Sequence, residues 1–262
     1  CDWSSDVCSS DLSVKQFHPR ALRSDSIATL RTFKDAKIKS IKRRGKFMWF
    51  EFDRPEVLVA HLGMSGQFKI QRENSEYESH LRANFQLSNG KEMRFIDQRT
   101  FGWLAVDLLE EGIPQIVSHI ARDPFDPEFD KRALVKQILK KRGQIKKVIL
   151  DQEVVSGIGN IYADEALWRA KVHPEKIASE LTSTEVLNVI TSAEKIMSKA
   201  LAAGGTSFDE LYINVNGESG YFERSLAVYG REGEPCRRCS AEIIRIAFAN
   251  RSSRLCPACQ TR

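Results

Sequence analysis

The chain is 262 residues long, 42% apolar and 29% charged, with 40 Lys and Arg against 35 Asp and Glu for a net charge of +5. That length carries two packed domains or one large one without a disulfide staple, and no window approaches the roughly 18 apolar residues of a membrane span. The N-terminus lacks the basic stretch and apolar core of an export signal, so membrane proteins and small disulfide-stapled secreted domains are excluded and a cytoplasmic location is expected.

In chain order, residues 1–12 read CDWSSDVCSSDL, with Cys1, Cys8, four serines and three aspartates in a pattern unlike the rest of the chain. They are expected to be foreign to the fold. From 13 to about 110 the sequence runs in short alternating segments, AKIKSIKRR, KFMWFEF, VLVAHL, GQFKIQ, ANFQLS, EMRFID and WLAVDLL, with Asn89-Gly90 as a hairpin turn. This half predicts a β-sandwich or barrel. A basic run, KDAKIKSIKRRGK, spans Lys34 to Lys46.

After the turn-rich linker Asp123-Pro124-Phe125-Asp126-Pro127 the spacing becomes helical, in FDKRALVKQILKKRG, ADEALWRAKV and TSTEVLNVITSAEKIMSKALAAGG. Thr182 or Ser183, ahead of Glu185, predicts the start of the last helix, and Gly204-Gly205 its end. A second basic run, KQILKKRGQIKK, covers Lys136 to Lys147. Each run is either solvated surface or a footprint for a polyanion. Just downstream, in DQEVVSGIGNIYADE, Gly157 and Gly159 flank Ile158 and Asn160 precedes a helix. Glycines permit sharp turns and close approach, and a helix N-terminus offers amides to a phosphate; a plain helix connector is the alternative.

The C-terminal stretch PCRRCSAEIIRIAFANRSSRLCPACQ holds Cys236 and Cys239, then sixteen residues, then Cys256 and Cys259. Two such Cys pairs in a chain without export features predict one structural zinc ion, with four thiolates and no open position for substrate. The residues between alternate through Ile243 to Phe248 and break at Asn250-Arg251-Ser252-Ser253, which predicts a hairpin with a cationic tip presenting Arg251. A piece of this size needs its metal to fold.

Four stretches, HLGMSG at 61–66, DQRTFG at 97–102, DQEVVSGIGNIYADEALWRAKVHP at 151–174 and VYGREGEPCRRC with the cysteine pairs, together resemble the formamidopyrimidine-DNA glycosylase (Fpg/Nei) family of bacterial base-excision repair, over roughly 13–262. The resemblance implies an α+β chain: a 1–12 leader, an N-terminal β-sandwich at 13–120 lacking its first helix, a helix-two-turns-helix domain at 121–234 and a zinc hairpin at 235–262. It implies a monomer acting on damaged double-stranded DNA, excising oxidised purines and cleaving abasic sites by β,δ-elimination. Asn160 and Arg251 resemble the residues that grip phosphates flanking the lesion, His61 and Lys146 resemble further phosphate contacts, and Lys46, the candidate catalytic residue, resembles a lysine that reaches the DNA near the damaged nucleotide. Met64, Arg99 and Phe101 resemble residues that fill the gap left by an extruded base. Singly, a methionine or phenylalanine belongs to a core, but Met64 lies in a turn between Gly63 and Gly66. The segment Phe208 to Gly220 matches the position of the family's loop over the extruded base, or is an ordinary loop.

The family's reacting amine is an N-terminal proline followed by glutamate, a pair that residues 1–12 do not contain. A catalytically inactive damaged-DNA binder is therefore the alternative expectation.

Overall fold

The computed structural model describes residues 13–16, 19–23, 33–204 and 225–262. The leader at 1–12 and the segment Phe208 to Gly220 lie outside the described residues. The chain divides into two compact units, with the boundary between His119 and Ile120.

The first unit is a β-sandwich. Its strands among the described residues are β1 (Ser13–Gln16), β2 (Ile38–Arg44), β3 (Phe47–Phe52), β4 (Glu56–His61), β5 (Gly66–Arg72), β6 (Leu81–Gln86), β7 (Lys91–Asp97), β8 (Trp103–Glu110) and β9 (Ile113–Pro114). They form a four-stranded sheet in the order β1-β6-β7-β5 and a five-stranded sheet in the order β2-β3-β4-β8-β9. Alternate residues turn inward on each sheet, so Phe50, Leu58, Ala60 and Leu104 meet Phe68, Phe85, Met93 and Phe95 in one core. Phe68 touches Phe50 edge-on at 5.4 Å and Phe95 at 5.3 Å. Burial of each such ring contributes about 1.5–3 kcal/mol. The Asn89-Gly90 turn joins β6 to β7, with Gly90 at φ 74° and the Asn89 side chain accepting from Lys91 N–H at 3.2 Å.

The second unit is helical and closes on a hairpin. Helices α1 (Lys131–Ile138), α2 (Ile145–Leu150), α3 (Asn160–Ala170) and α4 (Ser183–Ala202) pack around Ile138, Ile145, Ile149, Leu167, Val189 and Ile190. Asp130 caps α1 by accepting from the N–H groups of Arg132 and Ala133. Thr182 and Glu185 form a reciprocal capping box on α4. The expected single helix across FDKRALVKQILKKRG is instead α1 alone, and the basic run after it turns into the short helix α2. Gly143 ends that connection: its carbonyl accepts from Ala178 N–H at 2.9 Å, while Ile145 N–H bonds Lys176 O at 2.7 Å.

The hairpin consists of β10 (Ile244–Phe248) and β11 (Arg251–Leu255), paired from Ile244↔Leu255 to Phe248↔Arg251. The tip is therefore only Ala249-Asn250, with Ala249 at φ 47°. The expected four-residue break at 250–253 is shorter because a two-residue connection with left-handed backbone suits the twist of paired strands, and Arg251 opens β11 as an exposed residue.

Candidate nucleic-acid interface and zinc centre

The sulfur atoms of Cys236, Cys239, Cys256 and Cys259 lie within 4.8 Å of one another. Four thiolates about 2.3 Å from a zinc ion stand about 3.8 Å apart at tetrahedral corners, so the cluster fits one structural zinc, which these four residues hold. Cys236 and Cys256 are buried, and no other group of three or more candidate ligands occurs among the described residues. Burial and the neighbouring sulfurs push the Cys256 thiol up to about 12 and raise Cys259, whereas at Cys236 the surroundings favour the thiolate. Burial works against a charge on Cys236, but N–H donors from Arg238 and from the Trp168 indole, each at 3.4 Å, outweigh it and bring the thiol down to about 6. The Arg238 guanidinium lies 4.2 Å over the Trp168 ring and donates to Trp168 O, and Gln260 donates to Val172 O at 2.9 Å. These bonds fasten both cysteine knuckles to the end of α3.

The other end of α3 meets the tip of the hairpin. Gly159 precedes the helix without a side-chain cap, and the first turn has no acidic residue, so its amides and the helix dipole favour an anion there. Gly157 makes the approach possible: its φ is 86°, and a Cβ on it would lie 3.1 Å from Met197 Cε. Gln152 braces this turn, accepting from Gly157 N–H at 3.1 Å and donating to Ile158 O at 3.1 Å. Asn160 opens α3 and its side-chain amide donates to Ser252 O at 3.3 Å. The expected pair, Asn160 and Arg251, is thus brought together, since the carbonyl that Asn160 touches belongs to the residue directly after Arg251.

Lys146 requires a correction. Expected as a phosphate contact, it has no exposed side-chain surface: its ammonium pairs with Asp164 at 2.6 Å, donates to Ser252 O at 2.9 Å and lies 5.1 Å over the Phe248 ring. The helix turn explains the misreading, since α2 exposes Lys147 and points Lys146 inward beside Ile145 and Ile149. Burial lowers the ammonium from its ordinary value and raises the Asp164 carboxyl, while each partner draws the other back toward its charged form. Asp164 also accepts from Ser253 Oγ at 2.7 Å and Arg254 N–H at 3.0 Å. Lys146 and Asp164 therefore seat the start of β11, on which Arg251 stands. The neighbouring Glu165 accepts the N–H groups of Ala227, Val228 and Tyr229 at 2.8–3.0 Å. None of Asp164, Ser253 and Glu165 was singled out from sequence; the available signal was a pair of acids on a helix otherwise packed with Ala163, Ala166 and Leu167.

In the sandwich unit, Lys46 is exposed at the β2–β3 turn beside Gly45, whose φ is 56°. His61, paired with Phe47, stacks on Trp103 at 5.8 Å and accepts from Gly63 N–H through Nδ1 at 3.3 Å. Its proton in the neutral ring is therefore on Nε2. Burial, then the charges of Lys46 and Arg23, push its pKa below the ordinary histidine value. Met64 is 68% exposed and Phe101 59% exposed, on adjoining turns, with Arg99 exposed beside them. Added to Gly63, a Cβ would lie 2.7 Å from Gly102 N and from Phe101 C, so the two turns are in backbone contact.

A β-sandwich unit and a helical unit, the latter closed by a four-cysteine zinc hairpin that meets a glycine-turned helix N-terminus, define the class of zinc-finger, helix-two-turns-helix DNA glycosylases. Family models match all three parts: the formamidopyrimidine-DNA glycosylase N-terminal domain over residues 8–104, its H2TH domain over 120–210 and the zinc finger found in FPG and IleRS over 233–262. The chain belongs to the formamidopyrimidine-DNA glycosylase family. It is 50% identical to the formamidopyrimidine-DNA glycosylase of Nocardia farcinica over 263 residues, covering 94% of this chain and 89% of that one. It is 52% identical to that of Mycobacterium avium over 258 residues, covering 95% and 90%. Among solved structures, the Lactococcus lactis Fpg bound to abasic-site DNA superposes with a TM-score of 0.88 at 29% identity, covering 100% of this chain and 96% of that chain.

Proposed function

We propose that this chain repairs oxidised bases in duplex DNA, removing oxidised purines such as formamidopyrimidines and 8-oxoguanine and cleaving the resulting abasic site by β,δ-elimination. The observation that carries the reading is the bond from the Asn160 side chain to Ser252 O, which sets an uncapped helix N-terminus beside Arg251 on a zinc-braced strand. A guanidinium fork and a ring of amide donors suit adjacent phosphate oxygens. The named relatives are formamidopyrimidine-DNA glycosylases and the similar structures hold abasic-site DNA, which supports the same assignment.

In this reading Lys46 and His61 meet the backbone near the damaged nucleotide, His61 through its Nε2–H. Met64 and Phe101 occupy the gap in the stack and offset part of the unstacking cost of a few kcal/mol, and Arg99 pairs with the orphaned base. Lys146 acts indirectly, through the seating of β11. In the family the reacting group is the amine of an initial proline, with a glutamate beside it; such an amine is partly unprotonated at neutral pH and forms an iminium with the sugar C1′. Borohydride trapping on an 8-oxoguanine duplex tests the reading. A variant in which a Pro-Glu start precedes Ser13 is expected to give a covalent adduct, and the protein is expected to bind the same duplex in preference to undamaged DNA. Equal affinity for damaged and undamaged duplex contradicts the proposal, while lesion preference without any adduct from the Pro-Glu variant favours an inactive binder.

A further inference from the structure

The turns that carry Met64 and Phe101 hold their exposed side chains on a buried polar clasp. Ser65 directly follows Met64 and Asp97 lies four residues before Phe101, yet Ser65 is 9% exposed and Asp97 is fully buried. Ser65 Oγ donates to Asp97 Oδ1 at 2.5 Å and accepts from Arg99 N–H at 3.1 Å. The other carboxylate oxygen, Asp97 Oδ2, accepts from Gly102 N–H at 2.7 Å. One hydroxyl and one carboxylate therefore bracket the segment 98–102 at both ends and tie it to the 62–66 turn.

The backbone around the clasp leaves little other room. Gly66 pairs with Asp97 in the β5–β7 ladder, and its N–H bonds Leu62 O at 2.8 Å. A Cβ at Gly66 would lie 2.3 Å from Leu62 O, and one at Gly102 would lie 2.9 Å from His61 O. Thr100, between Arg99 and Phe101, takes a left-handed φ of 54°, a conformation that persists in a non-glycine residue when its surroundings over-determine it. Two exposed apolar side chains gain nothing in the free protein from being held so firmly. Rigid support matters when they must enter a base stack together, because a side chain ordered beforehand loses less freedom at that step.

We infer that Ser65 and Asp97 are positioning residues for base extrusion: their hydrogen bonds fix the turns of Met64 and Phe101 as one rigid wedge. This rests on the wedge role given under Proposed function, and it touches neither phosphate grip nor amine chemistry. Ser65→Ala removes the bridging hydroxyl. Asp97→Asn keeps the shape, but its amide meets Gly102 N–H either as a second donor or by giving up the acceptor that faces Ser65.

The test is stopped-flow fluorescence with the full chain and a duplex carrying 2-aminopurine beside 8-oxoguanine, together with equilibrium binding to a duplex containing a tetrahydrofuran abasic analogue, where no base has to be displaced. Ser65→Ala and Asp97→Asn are each expected to slow the extrusion phase about tenfold or more, as loss of a hydrogen bond to a buried charged group implies, with a clearly smaller loss of affinity for the abasic analogue, where the wedge fills a gap but displaces no base. In a Met64→Ala, Phe101→Ala background, Ser65→Ala is expected to slow extrusion no further, because the clasp acts through those two side chains. Equal losses on both duplexes, or a full additional loss in that background, show a merely structural role and overturn the inference. If the Met64→Ala, Phe101→Ala variant slows extrusion but both clasp variants match the parent, the clasp alone is wrong. If that double variant itself extrudes normally, the wedge reading fails first and the clasp with it. Should Asp97→Asn not fold, Ser65→Ala, which removes a single oxygen, decides the matter.

Discussion

Lys146 and Asp164 show how a single buried pair transmits to an exposed residue. Both side chains have no exposed surface and stand 2.6 Å apart. Their attraction is offset by the cost of desolvating two charges, so the pair is not itself a large source of stability, but removing one partner strands the other. Asp164→Ala is expected to destabilise the helical unit by about 3–5 kcal/mol in chemical denaturation. Lys146→Met with Asp164→Leu is expected to regain most of that stability, yet still bind DNA weakly, because Ser252 O and Ser253 Oγ lose the groups that seat β11. Arg251→Ala and Asn160→Ala should each weaken binding, but only Arg251→Ala, which removes a cation, should flatten its dependence on salt by about one phosphate's worth of counterion release; titrations at several salt concentrations check this, and an unchanged slope for Arg251→Ala would remove that residue from the backbone contact. His61 works in the opposite sense to a group that gains an anionic partner. Its folded pKa lies below the unfolded value of about 6.5. The stabilisation its neutral form contributes is therefore present above that value and lost as pH falls through the folded pKa. A thermal-melt series is expected to show His61→Gln reducing the acid sensitivity of the sandwich unit below about pH 6.5.

At the scale of elements, the zinc hairpin and α3 depend on each other. The metal closes two cysteine knuckles, and Trp168, Arg238 and Gln260 attach those knuckles to α3. Chelation is expected to unfold β10 and β11 and abolish DNA binding; intact lesion binding in a chelated sample would contradict an architectural metal. Much of this was legible in the residues. Two Cys-x-x-Cys pairs specify a tetrahedral ion because the spacing leaves few other uses for four thiols, and Thr182 with Glu185 marks a helix start because a reciprocal cap needs those types at that spacing. Asn89-Gly90 marks its turn for a comparable local reason. What escaped the sequence depends on distant partners. The short α2 looked like a charge run, yet four of its six residues, Ile145, Lys146, Val148 and Ile149, bury toward segments far along the chain. Lys146 carried the same letter as the exposed Lys147, and only the fold distinguishes them. Ser65 and Asp97 are 32 residues apart, and no pattern within either segment declares that they touch.

On the scale of the whole molecule, the chain forms two compact units with separate cores. The sandwich core of Phe50, Phe68, Phe85 and Phe95 is complete without the helical cluster around Ile149, Leu167 and Val189. Removing zinc should therefore melt part of the second unit while the sandwich retains its transition, so that calorimetry of the chelated protein shows one transition at its original temperature. A loss of both transitions together would show that the units share their stability. The resemblance assembled from four short stretches extended to the whole chain because each stretch sits at a place where backbone approach or a buried bond restricts the residue: Gly63 and Gly66 in the first, Gly102 in the second, Gly157 in the third and the metal knuckle in the fourth.

The central claim is that the start of α3 and the start of β11 hold one stretch of DNA backbone together, and a double-mutant cycle on Asn160→Ala and Arg251→Ala measures it most directly. With an abasic-analogue duplex at fixed salt, the double variant's loss in binding free energy is expected to differ from the sum of the two single losses by about 0.5 kcal/mol or more, as for residues in one network. Strict additivity, with each residue contributing as though the other were elsewhere, contradicts a shared grip.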